Sequence, residues 1–420
     1  MRGFLMQARP ELPLKAARAL VVLLPVSLIF GPAVSDVILC LITTLFLFQS
    51  ARARQWQWLR VRWVQCALAL GIYITARDLM LGDGGRTALH AAGWLRMPLF
   101  AAALGYWVLP HARTEQWLMR GLVATVTFLA LDTLWQFFSG FDLFGHPVFM
   151  SEGYPRLTGP FSRPRVGLTM LWLLFPALAA IIATPHIRSV WRYAVWAALL
   201  VATTLAIYVS GERTPFVMLG VGFVLTFLLT RSLRRPLLLA VLCALLAGWV
   251  MAQQSPQLVA RQVDATHHTL ASYWDTVYGR TWLSATQVAR EYPLFGVGSH
   301  GFQKECYKPQ YGPTDPESLV QRCAFHPHNM YLTWVTDGGL IALGLLCAMV
   351  TCWAATALRH WRHWLHLPFA TSLVVILAIR LVPLSLAPSQ VATWVLVPLW
   401  FFAGWLIALL PANRPSQSAT

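Results

Sequence analysis

The sequence predicts an all-α polytopic membrane protein of about twelve transmembrane helices, and three observations carry that expectation. Hydrophobic residues fill 57% of the 420 positions and charged residues 11%, which leaves too little polar surface to clothe a soluble body of this size. The apolar residues lie in continuous runs about as long as a membrane-crossing helix. These runs lack the alternation of a barrel strand, and only helices or closed barrels satisfy every backbone group in hydrocarbon.

In chain order the runs fall near residues 18–34, 36–50, 63–80, 89–109, 117–138, 166–184, 193–210, 215–230, 237–252, 329–355, 367–387 and 391–411. Pro25, Pro176 and Pro383 fall within them and are expected to kink or split a helix. Lys15 and Arg18 ahead of the first run imitate a secretory signal, but a second run follows at once without a small-residue cleavage site, so the first is read as a retained span. Two polar interruptions are long, residues 139–165 and 253–328. The chain therefore divides into residues 1–252 with nine spans, a long loop at 253–328 containing short helices, and residues 329–420 with three more spans.

Orientation follows from basic residues in short loops. Arg52, Arg54, Arg60 and Arg62 share one loop, and Arg113 with Arg120, Arg188 with Arg192, Arg231 with Arg234 and Arg235, and Arg359 with Arg362 fill alternate ones. Twelve spans put these on one side with both termini, the expected cytoplasmic side. The two long loops then face outward, which is the periplasm if the cell is a Gram-negative bacterium.

The net charge of +16 is almost all arginine, the lysines being Lys15, Lys304 and Lys308. Arg156, Arg163, Arg165, Arg213, Arg280, Arg290 and Arg322 lie on the side where the positive-inside rule does not call for them. A guanidinium fork suits phosphate, so their clustering suggests an anionic ligand such as a phospholipid or lipid pyrophosphate. The plain alternative for each is snorkelling toward lipid head groups. Several of the 20 tryptophans are expected at the membrane interfaces.

Of seven cysteines, Cys40, Cys66, Cys243, Cys347 and Cys352 lie in or beside spans and read as packing residues. Cys306 and Cys323 share the long outer loop, where they could form a disulfide or stay free thiols. That loop opens with an amphipathic stretch through Trp282, Ala285, Val288 and Ala289, with Arg280 at its start. A helix N-terminus there would add backbone N–H groups to an anion site. The run Pro293-Leu294-Phe295-Gly296-Val297-Gly298 then reads as a turn ending the helix.

The loop closes on Cys323-Ala324-Phe325-His326-Pro327-His328-Asn329-Met330-Tyr331-Leu332 at the membrane edge. A metal site would need Cys323 or Asp315 as further ligands, and the spacing fits no strong zinc pattern. A catalytic base suits the histidines better, since imidazole titrates near neutrality and can take a proton from a hydroxyl. The plain reading of His328 is a residue that caps the next span.

Arg280-x-Trp282, then residues 293–298, then His328-Asn329 leading into a span with Asp337-Gly338-Gly339, resemble the O-antigen ligase and polymerase superfamily. Arg156-Leu-Thr-Gly-Pro-Phe161 and Gly211-Glu-Arg213 sit where that superfamily carries outer-face arginines. The resemblance covers about residues 150–345 by motif and the whole chain by topology. Many relatives carry glutamate where this chain has Asp337, which bears on that residue's role.

The resemblance implies a GT-C type membrane glycosyltransferase that needs no metal and no nucleotide sugar; no cofactor and no nucleic-acid partner is expected, and a monomer is expected. The ligase branch takes a polysaccharide from undecaprenyl pyrophosphate and joins it to a lipid A-core sugar at the periplasmic face. The polymerase branch shares the motifs. Arg213 and Arg280 are expected to stabilise the departing pyrophosphate and His328 to deprotonate the acceptor hydroxyl, giving inversion. Arg156 and Arg163 are candidates for phosphate contact, and His326, Asn329 and Tyr331 for substrate contact. Asp337 is expected to face the protein interior. A transporter of an anionic lipid or glycan would instead gather charges at mid-membrane and show repeat symmetry. A purely structural lipid-binding protein would explain the arginines but not the histidine.

Overall fold

The computed structural model describes residues 12–82, 85–110, 112–151, 153–184, 188–323, 326–383 and 393–411. A helix occurs at each apolar run. The first ten are α1 (Leu12–Ser27), α2 (Pro32–Ala53), α3 (Arg62–Met80), α4 (Arg86–Gly93), α5 (Arg96–Ala103), α6 (Ala112–Ser139), α7 (Val166–Ile182), α8 (Ser189–Val209), α9 (Arg213–Leu229) and α10 (Arg234–Gln254). After the long loop come α16 (Met330–Arg359), the short α17 (Trp361–Leu365), α18 (Pro368–Leu381) and α19 (Thr393–Leu409). Among the described residues five helices are long and apolar enough to cross a membrane, Pro32–Ala53, Arg113–Ser139, Ser189–Val209, Arg231–Gln254 and Met330–Arg359, with four shorter apolar ones. This is a membrane protein.

Boundaries shift from expectation for local reasons. The first helix begins and ends earlier than 18–34, because Pro32 occupies the first turn of α2, where its missing N–H costs nothing, and so sets the turn ahead of it. The run at 89–109 is two helices followed by a π-helical turn at Leu104–Val108. Pro25 and Pro176 lie inside α1 and α7, whereas α18 stops two residues short of Pro383. Part of the expected spans at 367–387 and 391–411 lies outside the described residues.

The helices pack around one apolar core. α7, buried along nearly its whole length, touches α6, α8, α9 and α18, while α3 lies along α16 and α19 along α5. Trp63, Trp94, Trp334 and Trp400 meet ring to ring inside this core, so part of the tryptophan complement is packing rather than interface. The outward face of α10 is apolar, with Leu242 52% and Trp249 64% exposed, which suits lipid as its solvent.

The expected continuous span after the long loop is broken. Gly339 interrupts α16 with φ 69° and ψ −167°, a conformation open essentially to glycine alone. The segment 293–298 fills that break. Val297 N–H donates to Thr336 O (2.9 Å), Gly298 N–H to Asp337 O (2.8 Å) and Leu340 N–H to Pro293 O (2.7 Å). Arg77 of α3 donates to Phe295 O (3.1 Å) and Gly296 O (3.0 Å), and Tyr73 Oη–H to Gly338 O (2.8 Å). The segment read as a plain turn is thus a clamp between α3 and both halves of α16.

The long loop folds as α11 (Pro256–Val259), a π turn at Ala260–Asp264, α12 (Ala265–Ala271), α13 (Val277–Glu291), α14 (Gly301–Glu305) and α15 (Pro316–Arg322). Ala285, Val288, Phe302 and Tyr311 form a second small core with Cys306 and Cys323, which are joined as a disulfide across a Cα–Cα distance of 5.5 Å. Arg322 plugs this lobe. Buried to 4% exposure, it donates to the carbonyls of Pro313 (3.1 Å), Gly312 (3.2 Å), Lys308 (3.4 Å) and Cys306. Its charge is satisfied internally, which corrects the grouping of Arg322 with ligand-facing arginines.

Candidate active site

A cavity of about 220 Å³ opens where the start of α9, the 260–271 segment, the start of α13 and the residue before Asn329 converge. Arg156, Arg213 and Arg261 line it together with Glu212, Thr266, Tyr273, Tyr278, Trp282 and His328.

Each arginine is held by local structure. The loop at 139–165 pairs β1 (Phe149–Ser151) with β2 (Tyr154–Arg156), Phe149 opposite Arg156, and Leu157 N–H donates to Ser210 O (3.2 Å). This lays Arg156 beside Gly211. Glu212 ends its turn buried, its carboxylate accepting from the free N–H groups of Gly167 (2.8 Å) and Leu168 (3.3 Å) at the start of α7. Burial pushes this carboxyl up, while those amides and the nearby Arg156 and Arg165 pull it down. Arg213, first residue of α9, donates through Nη1 to Ala265 O (2.7 Å) and Thr269 Oγ1 (2.8 Å). Arg261 is buried on the π turn, its Nε–H donating to Gly211 O (3.4 Å) and its guanidinium 5.5 Å from the Tyr154 ring. Three guanidinium groups against one carboxylate leave the cavity net positive, a setting for a ligand with more than one negative charge.

His328 lines the same cavity. Its backbone is left-handed, φ 55°, a strained conformation that non-glycine residues keep where the surroundings over-determine it. Its ring meets Tyr278 edge-on at 5.2 Å and His326 at 4.3 Å between centroids. Burial lowers its pKa to about 4, and burial with the charges of His328 and His300 lowers His326 to about 3, so both are neutral imidazoles near pH 7. A neutral imidazole at the wall of a basic cavity can accept a proton.

The structure brings Arg156, Arg213 and His328 together and sets the other sequence candidates elsewhere. Arg280, in the first turn of α13, does not line the cavity and donates to Gln321 Oε1 of α15. Arg163 is exposed on the loop before α7. His326 does not line the cavity although its ring meets that of His328, and residues 324 and 325, which precede it in the motif, lie outside the described residues. Asn329 caps α16, its Oδ1 accepting from Leu332 N–H (3.1 Å), and Tyr331 Oη–H donates to Leu381 O (2.8 Å). Asp337 is buried inside the bundle, and its backbone carbonyl receives the clamp. Cys323 is used by the disulfide and Asp315 caps α15 through Ser318 N–H (2.9 Å), so neither serves the metal reading of the histidines. Among the described residues no group of three or more His, Cys, Asp or Glu side chains is arranged to hold a metal ion.

Arg261 was missed by sequence reasoning. It sits in a polar stretch without a motif, and only the fold of residues 256–264 against Gly211 turns it inward.

Residues 197–347 match a family model described as O-Antigen ligase, which supports placing the chain in the O-antigen ligase and polymerase superfamily. The matched stretch contains Arg213, Arg261, Arg280 and His328. A search of curated proteins found no match.

Proposed function

We propose that this relative of the O-antigen ligases transfers a polysaccharide from undecaprenyl pyrophosphate to a sugar of the lipid A core, at the periplasmic face of the inner membrane. The carrying observation is the single cavity that faces Arg156, Arg213 and Arg261 with His328, within or beside the stretch that matches the family.

The chemistry follows from that arrangement. The bond between the anomeric carbon and the pyrophosphate oxygen breaks as the acceptor oxygen attacks from the opposite face. Negative charge grows on the pyrophosphate, and preformed guanidinium donors hold it. The acceptor hydroxyl loses its proton to His328, whose neutral form is the one burial favours. A bound pyrophosphate raises the proton affinity of His328 by its charge, so the base strengthens when the donor is in place. No covalent intermediate is needed and the anomeric configuration inverts. Arg280, bonded to Gln321 at the start of α13, acts on this reading by positioning the helix that carries Tyr278 and Trp282.

Lipopolysaccharide from a ligase-deficient strain carrying this protein tests the reading. Return of the long-chain ladder on a gel supports ligation. A change only in repeat number, in a polymerase-deficient strain, would assign the chain to polymerisation instead.

A further inference from the structure

The cavity lining is aromatic as well as basic. Tyr273, Tyr278 and Trp282 all line the cavity, with Tyr273 and Trp282 rings 5.6 Å apart at 75°. Trp282 Nε1 and Thr266 Oγ1, both on cavity-lining side chains, have no hydrogen-bond partner among the described residues. Buried indole N–H groups normally find an acceptor, so an orphan beside a cavity points to a ligand that supplies one. Both atoms are shielded from water on side chains that line the cavity.

We infer that Tyr273, Trp282 and Thr266 form a carbohydrate subsite, distinct from the arginine wall, that holds the first sugar of the lipid-linked donor. A pyranose presents one face of C–H groups and a rim of hydroxyls. The C–H face matches aromatic rings, and the rim matches the two unpartnered groups. One cavity thus offers arginines for the pyrophosphate, aromatic rings for the sugar and His328 for the incoming acceptor hydroxyl. This inference rests on the proposed function, since it assigns the sugar that such a donor carries. It makes Trp282 a specificity determinant and not only a packing residue of α13.

The test is binding by the full-length protein in lipid nanodiscs, with undecaprenyl pyrophosphate carrying one O-antigen repeat compared with bare undecaprenyl pyrophosphate. Native protein is expected to prefer the sugar-bearing lipid by about tenfold, the scale of one aromatic contact plus one hydrogen bond. Trp282→Ala should bring the two affinities together by weakening only the sugar-bearing lipid, and Trp282→Phe, which keeps a ring without the N–H, should fall between. An unchanged preference in Trp282→Ala, or no preference in the native protein, overturns the subsite. Equal weakening of both lipids means that Trp282 contacts the membrane or the prenyl chain, and also overturns it. If Trp282→Ala fails to fold, the Trp282→Phe comparison decides alone. Native protein that binds neither lipid refutes the proposed function itself.

Discussion

Replacing Gly339 with alanine perturbs the joint that holds the long loop to the membrane helices. A Cβ there would stand 2.1 Å from Leu294 O, 2.2 Å from Leu294 C and 2.5 Å from Phe295 N, all backbone atoms without freedom to rotate away. The backbone conformation adds about 1–3 kcal/mol of strain for a non-glycine residue. The chain can relieve both only by releasing residues 293–298, which forfeits the three backbone hydrogen bonds of the clamp and the two from Arg77. At about 1 kcal/mol net for each hydrogen bond, the loss is about 3–5 kcal/mol. Release also loosens α13 against α16, and with it the contact of Tyr278 with His328. Thermal unfolding of purified Gly339→Ala should therefore begin at lower temperature, and the amides of Val297, Gly298 and Leu340 should lose their protection from hydrogen exchange. A native-like midpoint together with intact protection at those amides would refute the clamp.

Three further outcomes follow from the same contacts. Arg322→Met leaves the carbonyls of Cys306, Lys308, Gly312 and Pro313 without their donor and should cost about 2–4 kcal/mol, seen as faster proteolytic nicking within residues 306–323. His326 and His328 have pKa values of about 3 and about 4 against an ordinary 6.5, so the unfolded chain binds more protons below pH 6.5 and stability falls as pH drops from there toward 4. The shift of His328 alone corresponds to about 3 kcal/mol, and His326→Gln should flatten the fall in melting temperature between pH 7 and 4.5. Glu212→Ala removes the acceptor for Gly167 and Leu168 N–H inside the bundle and should cost about 2–3 kcal/mol, whereas Glu212→Gln, which keeps an acceptor oxygen, should cost less in the same melting assay.

Much of the helical frame was legible because it depends on local composition. Each apolar run carries a helix, and Cys306 and Cys323 meet as one of the two readings allowed. What was not legible depends on contacts distant in sequence. Gly338-Gly339 sits within an apolar run that reads as one helix, and only the backbone of residues 293–298 shows why it breaks. Arg322 has the sequence context of a solvated loop residue, yet carbonyls up to 16 positions away surround it. For the site, His328 and Arg213 could be chosen because a histidine at a membrane edge and an arginine opening a helix carry chemical meaning by themselves. Asn329 has an equal claim as a polar neighbour, and its capping bond to Leu332 emerges only with the helix start. Arg261 had no such signal, and its place follows from the turn at Gly211.

The most direct test of the central claim is transfer in a purified system, with donor lipid, lipid A-core acceptor, and native protein or His328→Ala. The account predicts that the variant binds the sugar-bearing donor with native affinity while its transfer rate falls about 100-fold to 10,000-fold, the range for losing a general base. A variant that transfers at close to the native rate would show that the acceptor proton leaves by another route and that His328 is not the base.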